Sequence, residues 1–241
     1  MSSEDAAMTD VVRYKGHLSL PEVGPSGQQR LAATRVLVVG AGGLGSPVAL
    51  YLGAAGVGTL GIADADTVSL SNLQRQIMHG TADIGTSKAE SAKRAVTRIN
   101  PGVDVRLHKQ YLTPADARDI IGGYDIVMDC TDNMAARLVI DDTCRALGKP
   151  YVHGAVRRFG GQIFTHVPGS PGYRDIFAPD PDAPVDELPC AVDGVLNTVV
   201  GVIGTLQATE AVKWATGAGD LLTGRLLTFD ALTMKFEEFK F

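Results

Sequence analysis

The chain has 241 residues, of which 45% are hydrophobic and 20% charged, with a formal net charge of −5 and three cysteines. That is enough apolar residue to bury a sizeable core in one globular unit, and the acidic balance argues against a nucleic-acid partner, which normally needs a basic face. Sparse cysteine fits a reducing cytoplasm, and the acidic start Met1-Ser2-Ser3-Glu4-Asp5 lacks the apolar stretch of a secretory signal, so a cytoplasmic protein is expected.

Residues 1–12 read as a flexible N-terminus and 13–241 as a single domain. From residue 35 the pattern alternates, with strands predicted near 35–39, 59–63, 103–107 and 125–129 and helices near 44–55, 86–99, 114–121 and 133–147. Such alternation predicts a parallel sheet with helices on both faces. After Pro150 the order changes: strands near 151–156 and 161–166 are joined by Arg157–Gly160 as a hairpin, and strands near 225–230 and 235–239 close the sheet. The fold class is therefore α/β, a Rossmann-like mixed sheet with a parallel N-terminal half and an antiparallel C-terminal half.

Two stretches stand apart from this alternation. Val195–Ala211 is apolar enough to raise a membrane span, but Asn197, Gln207, Thr209 and Glu210, with Lys213 just beyond, favour a buried core helix, and no membrane is expected. Pro168–Pro189 is rich in proline and acid without periodicity; it reads either as a lid over a binding groove or as a spacer.

The chemistry concentrates between residues 35 and 88. Strand Val36–Val39 runs into Gly40, Gly42 and Gly45, a G-x-G-x-x-G turn that lets a phosphate approach backbone N–H groups at a helix start. Asp64, at the end of the next strand, lies near the spacing at which an acid reads ribose hydroxyls; Asp66 either joins it or caps the turn. To this point a dinucleotide enzyme would serve as well. A triphosphate carries nearly four charges against about two on a dinucleotide pyrophosphate, so it needs cations besides a helix N-terminus. Asn72, Arg75 and Lys88 offer such groups, and Asp132, beyond strand 125–129, is placed to hold Mg²⁺ beside phosphate oxygens. Taken singly, Arg75 and Lys88 also read as surface charges and Asp132 as the cap of the helix from Asn133.

From about Arg13 to the end the chain resembles the ThiF/MoeB/HesA-type adenylyltransferases, bacterial relatives of ubiquitin-activating enzymes. The strings that carry the resemblance, beyond the glycine loop, are S-L-S-N-L-Q-R-Q at 69–76, S-K-A-E-S-A at 87–92, D-C-T-D-N at 129–133 and G-V-I-G-T-L-Q-A-T-E-A-V-K at 201–213. The resemblance implies binding of ATP and Mg²⁺ and transfer of AMP to a carboxylate, in most relatives the C-terminal glycine of a small ubiquitin-like sulfur carrier ending in Gly-Gly. It implies that Gly40, Gly42, Gly43 and Gly45 face the phosphates and Asp64, with Asp66, the ribose. Asn72, Arg75, Gln76 and Lys88 would hold the nucleotide and Asp132 the metal. It also implies a homodimer, a nucleotide-binding half over 35–150 and a carrier-binding half over 151–241.

Three departures qualify what carries over. The R-Y-x-R motif that aims a partner subunit's arginine at the phosphates reads Arg13-Tyr14-Lys15-Gly16, leaving Lys15 or Arg13 as substitutes. The C-x-x-C pairs that hold zinc in many relatives are missing: the first position reads Gly172-Tyr173-Arg174-Asp175, so no structural zinc is expected. Cys190 stands where several relatives carry a cysteine that takes up the activated carrier. A helix starting near Gly194 would activate its thiolate; an inert loop cysteine is the other reading. Cys130 and Cys144 read as structural.

The expectation is thus an ATP-dependent adenylyltransferase acting on a sulfur carrier, with Arg75, Lys88, Asp132 and Cys190 as its catalytic candidates. Since no rhodanese-like extension follows Phe241, a separate protein is expected to deliver sulfur. The alternatives are a peptide or small-carboxylate acceptor, or a weakly active subunit that docks the carrier.

Overall fold

The computed structural model describes residues 10–177 and 194–241. Helices α1 (Lys15–Leu18) and α2 (Gly24–Ala33) lead into β1 (Arg35–Val39), α3 (Gly45–Ala55), β2 (Thr59–Ala63), α4 (Lys88–Ile99), β3 (Asp104–His108), α5 (Ala117–Gly122), β4 (Ile126–Asp129), α6 (Met134–Leu147) and β5 (Tyr151–Arg157). The remainder comprises β6 (Gly160–His166), α7 (Tyr173–Phe177), the long α8 (Asn197–Thr216), β7 (Arg225–Asp230) and β8 (Lys235–Lys240).

All eight strands form one sheet in the order β3-β2-β1-β4-β5-β6-β7-β8. The first five in this order pair in parallel and the last three antiparallel. The change of direction falls at β5, which is parallel to β4 on one side and antiparallel, as the hairpin after Pro150 implies, to β6 on the other. The hairpin from β5 to β6 turns through Arg158 and Phe159, with Arg157 opposite Gly160 and Arg158 in the left-handed region at φ 54°.

The strands read as continuous apolar runs because both sheet faces are covered. In β1, Val36 and Val38 join the core beneath α3, α4 and α8, whereas Leu37 and Val39 join the opposite core with Ile121, Ile140 and Phe164. The chain runs from β1 outward to β2 and β3 on one side and then crosses from β3 to β4 on the other side of β1, which opens a crevice at the carboxyl ends of β1 and β4.

Helix α8 starts at Asn197 rather than near Gly194, and its polar residues explain why it belongs in a protein core. Buried Gln207 donates to the carbonyls of Asp129 at 2.8 Å and Val152 at 3.2 Å, stitching α8 to the ends of two strands. Buried Glu210 accepts from Thr165 Oγ1 (2.6 Å), Leu222 N (2.7 Å) and Lys213 Nζ (2.6 Å), so its charge is fully partnered. No helix among the described residues is long and apolar enough to cross a membrane.

Where α8 crosses α3, Gly204 lies against the Leu44 carbonyl, and an added Cβ would stand 2.4 Å from Pro47 Cγ and 2.7 Å from that oxygen. Backbone does not yield as a flexible side chain does, so Gly204→Ala is expected to destabilise the protein by about 1–3 kcal/mol through overpacking. A thermal midpoint several degrees below wild type is the expected reading; an unchanged midpoint would show that the two helices separate freely.

Candidate functional site

A cavity of about 810 Å³ opens at the crevice between β1 and β4. The glycine turn forms one wall. Gly40 has φ 97°, and a Cβ there would stand 2.7 Å from the Cys130 carbonyl, so only glycine permits β1 to turn this close to the end of β4. Gly42 and Gly43 also line the cavity, with Gln76 and the Arg75 side chain packed beside them. Gly45 does not line it: a Cβ on Gly45 would lie 1.9 Å from the Gly40 carbonyl, so this glycine serves the tight packing of turn on helix.

The turn is fixed from both sides at Ala41. The Asp64 carboxylate accepts the Ala41 N–H at 2.7 Å through one oxygen and the Asp66 N–H at 2.8 Å through the other. Burial raises the pKa of Asp64, and the two N–H donors oppose that rise. On the other side His79 Nε2 meets the Ala41 carbonyl at 2.9 Å and Nδ1 meets Ser91 Oγ at 2.8 Å. Burial lowers the His79 pKa, which keeps the ring neutral with its proton on Nε2, donating to Ala41, and Nδ1 accepting from Ser91.

Asp66 is not a turn cap. Its carboxylate accepts from Lys88 Nζ at 2.7 Å and from the Tyr111 hydroxyl. Burial disfavours the charged carboxylate, but these partners outweigh it and the pKa falls; Tyr111 in turn is pushed up to about 12 by its bond to Asp66. Lys88 itself is buried at the first position of α4, so it is no surface charge. Arg75, half-buried, donates to the Ser71 carbonyl at 3.3 Å. Buried Gln76 has its Oε1 without a partner. Asn72 is the one residue of the expected polar set that stands outside: it ends a short helical turn, Leu70–Asn72, and its carbonyl accepts the N–H groups of Arg75 and Gln76 without its side chain lining the cavity.

The opposite wall is the loop after β4. Asp132 lines the cavity and does not cap α6; that role belongs to Asn133, whose side chain accepts the Ala136 N–H at 2.9 Å. The loop is braced from below by buried Asp129, which accepts from Thr131 N (3.1 Å) and Oγ1 (2.6 Å) and from His153 Nδ1 (2.7 Å). Arg137 completes the brace by donating to the Thr131 carbonyl at 3.0 Å. His79, Tyr111 and Arg137 carry no local motif in the sequence, because each acts on a partner tens of residues away or one turn along a helix.

The substitutes considered for the missing arginine do not reach this cavity from within the chain. Arg13 donates to the Ile99 carbonyl at 2.9 Å, and Lys15 does not line the cavity. At the position where many relatives hold zinc, Gly172 packs on Asp141, while Asp175 pairs with Arg145 at 2.7 Å and accepts the Gly172 N–H. Among the described residues no three of His, Cys, Asp and Glu are grouped to hold a metal. Cys130 and Cys144 are buried, and burial pushes both thiols up, as inert structural cysteines require. Cys190 and most of the 168–189 stretch lie outside the described residues.

The model of the ThiF family matches residues 14–241. The chain belongs to the ThiF family. It is 47% identical over 232 residues to the probable adenylyltransferase/sulfurtransferase MoeZ of Mycobacterium tuberculosis, covering 94% of this chain and 59% of MoeZ. It is 46% identical over 237 residues to the SAMP-activating enzyme E1 of Haloferax volcanii, covering 98% of this chain and 86% of that enzyme. This ThiF-family chain therefore spans less than two thirds of MoeZ and most of the archaeal relative. The crystal structure of E. coli MccB superposes with a TM-score of 0.81 at 19% identity, covering 95% of this chain and 69% of MccB, which shows a shared fold.

The neutral His79 carries a pH dependence. Its folded-state pKa lies below the ordinary 6.5, so the unfolded chain takes up a proton first and stability is lost as pH falls below 6.5. Thermal midpoints at pH 7 and pH 5 are expected to differ less in His79→Asn than in wild type; an equal drop in both would remove His79 from the acid response.

Proposed function

We propose that this chain is an ATP-dependent adenylyltransferase that activates the C-terminal glycine carboxylate of a ubiquitin-like sulfur carrier as an acyl-adenylate, for sulfur transfer in the synthesis of a cofactor or sulfur-containing metabolite. One observation carries the reading: a glycine turn, Asp64, Arg75, Lys88 and Asp132 converge on a single cavity at the crevice where α/β sheets of this type bind ligands. The names of the Mycobacterium and Haloferax relatives, an adenylyltransferase/sulfurtransferase and an activating enzyme E1, agree with it.

In this reading the backbone N–H groups of Gly42 and Gly43 face the polyphosphate and Asp64 the ribose. Attack of the carboxylate on the α-phosphorus forms one oxygen–phosphorus bond; the bond to the bridging oxygen breaks, and pyrophosphate leaves with that electron pair. The step joins two anions, so the residues supply position and positive charge rather than a base, since a glycine carboxylate is already ionised. Lys88, now held by Asp66, and Arg75 offset the charge gathering on pyrophosphate. Mg²⁺ would add further neutralisation, and a cavity-lining carboxylate such as Asp132 suits an ion that takes one or two carboxylates plus phosphate oxygens.

The nucleotide half is assigned to 35–150 and the carrier half to 151–241, with the protein acting as a homodimer and receiving sulfur from a separate donor. Substitutions Arg75→Ala, Lys88→Ala and Asp132→Ala are each expected to lower carrier-dependent ATP–pyrophosphate exchange by about 10²-fold or more in folded protein. Near-normal exchange in Asp132→Ala would remove the metal assignment. Nucleotide binding without exchange in wild type would point instead to a carrier-docking subunit.

A further inference from the structure

A second cavity, of about 480 Å³, lies over the antiparallel strands and is lined by Gly160, Gly161, Gln162, Thr228 and Phe229 among others. It meets the nucleotide cavity at Val156 and Arg137, which line both; Arg137 is the only charged side chain among the described residues to do so. Arg137 thus stands at the junction of the two cavities.

The state of its guanidinium is informative. Nη2 is committed to the Thr131 carbonyl, and the group sits 6.0 Å from the centre of the Tyr173 ring. Nε is buried without any hydrogen-bond partner. Buried polar atoms in folded proteins nearly always have partners, and an orphan N–H on a cation leaves this side chain one acceptor short. One carboxylate oxygen accepting from Nε would supply that missing partner through a charge-assisted hydrogen bond and leave the second oxygen unengaged. Asp129 and His153, buried beneath, fix the Thr131 loop and so fix the point about which Arg137 turns.

We propose that Arg137 is the specificity-determining residue for the acceptor: it receives the terminal carboxylate of the incoming chain at the junction of the two cavities and holds one oxygen while the other faces the α-phosphorus. The assignment rests on the adenylation reading. It accounts for how an anion is brought against a polyphosphate without being repelled, and for why the acceptor must end in a free carboxylate.

The test compares two forms of the host's ubiquitin-fold carrier ending in Gly-Gly, one with a free C-terminus and one amidated, binding to full-length protein with a non-hydrolysable ATP analogue, by calorimetry. Wild type is expected to prefer the free acid by about tenfold or more. R137Q and R137M are expected to bind both forms alike, within about twofold, while keeping affinity for the ATP analogue within about threefold of wild type. R137K is expected to restore part of the preference. An undiminished acid preference in folded R137Q or R137M would overturn the proposal, as would a loss of nucleotide affinity matching the loss of carrier affinity, which would reduce Arg137 to a brace for Thr131. Absence of carrier-dependent pyrophosphate exchange in wild type would instead overturn the adenylation reading, and this assignment with it.

Discussion

The backbone of Ala41 is the point on which the site turns. Its N–H is held by Asp64 and its carbonyl by His79, so the glycine turn is anchored to the end of β2 and, through Ser91, to α4. Glycine loops gain phosphate access by giving up side chains, and with them the packing that would otherwise fix the backbone. Two buried polar groups replace that packing. Asp64 therefore has a positional duty in addition to any contact with a ribose, and the loop is set before a ligand arrives.

The opposite wall follows the same logic. Asp132 is exposed on a loop, yet the residues on either side of it are held: Thr131 by Asp129 and Arg137, Asn133 by its own capping of α6. Both walls thus place candidate site residues on short loops whose backbones are tied to strands. This is how a rigid sheet can present mobile chemistry with little loss of precision.

Most of the sheet was legible in the sequence, because a parallel sheet covered on both faces writes its strands as unbroken apolar runs such as Val36–Val39. The glycine turn and the groups at Asp64, Arg75, Lys88 and Asp132 were legible through motif spacing. What the residues could not disclose was pairing. Asp66 serves as the partner of Lys88, Gly45 supports packing, and Asn72 contributes its carbonyl, and each role is decided by a neighbour brought close only by the fold. The hairpin that turns the sheet antiparallel after Pro150 was legible, whereas the pairing of its first strand, β5, with β4 was not, since a strand parallel on one edge and antiparallel on the other has no periodicity of its own. Helices α1 and α2 lay outside the alternating pattern. There Tyr14 accepts from Asn100 Nδ2 at 2.8 Å, and an added Cβ on Gly56 would stand 2.3 Å from its hydroxyl, contacts that no local spacing reveals.

Gln76 Oε1 and Arg137 Nε, both on residues bordering the cavity between β1 and β4, are buried atoms whose hydrogen-bonding capacity goes unused. An unsatisfied buried group costs about 1–3 kcal/mol, and two of the three such side-chain atoms among the described residues border this cavity, the third being His153 Nε2 beneath the Thr131 loop. Such a cost favours whatever relieves it. Under the proposed function, a docked reactant that offered these atoms a partner would complete a hydrogen-bond network left open by folding, and would serve as the last structural piece of its own binding site.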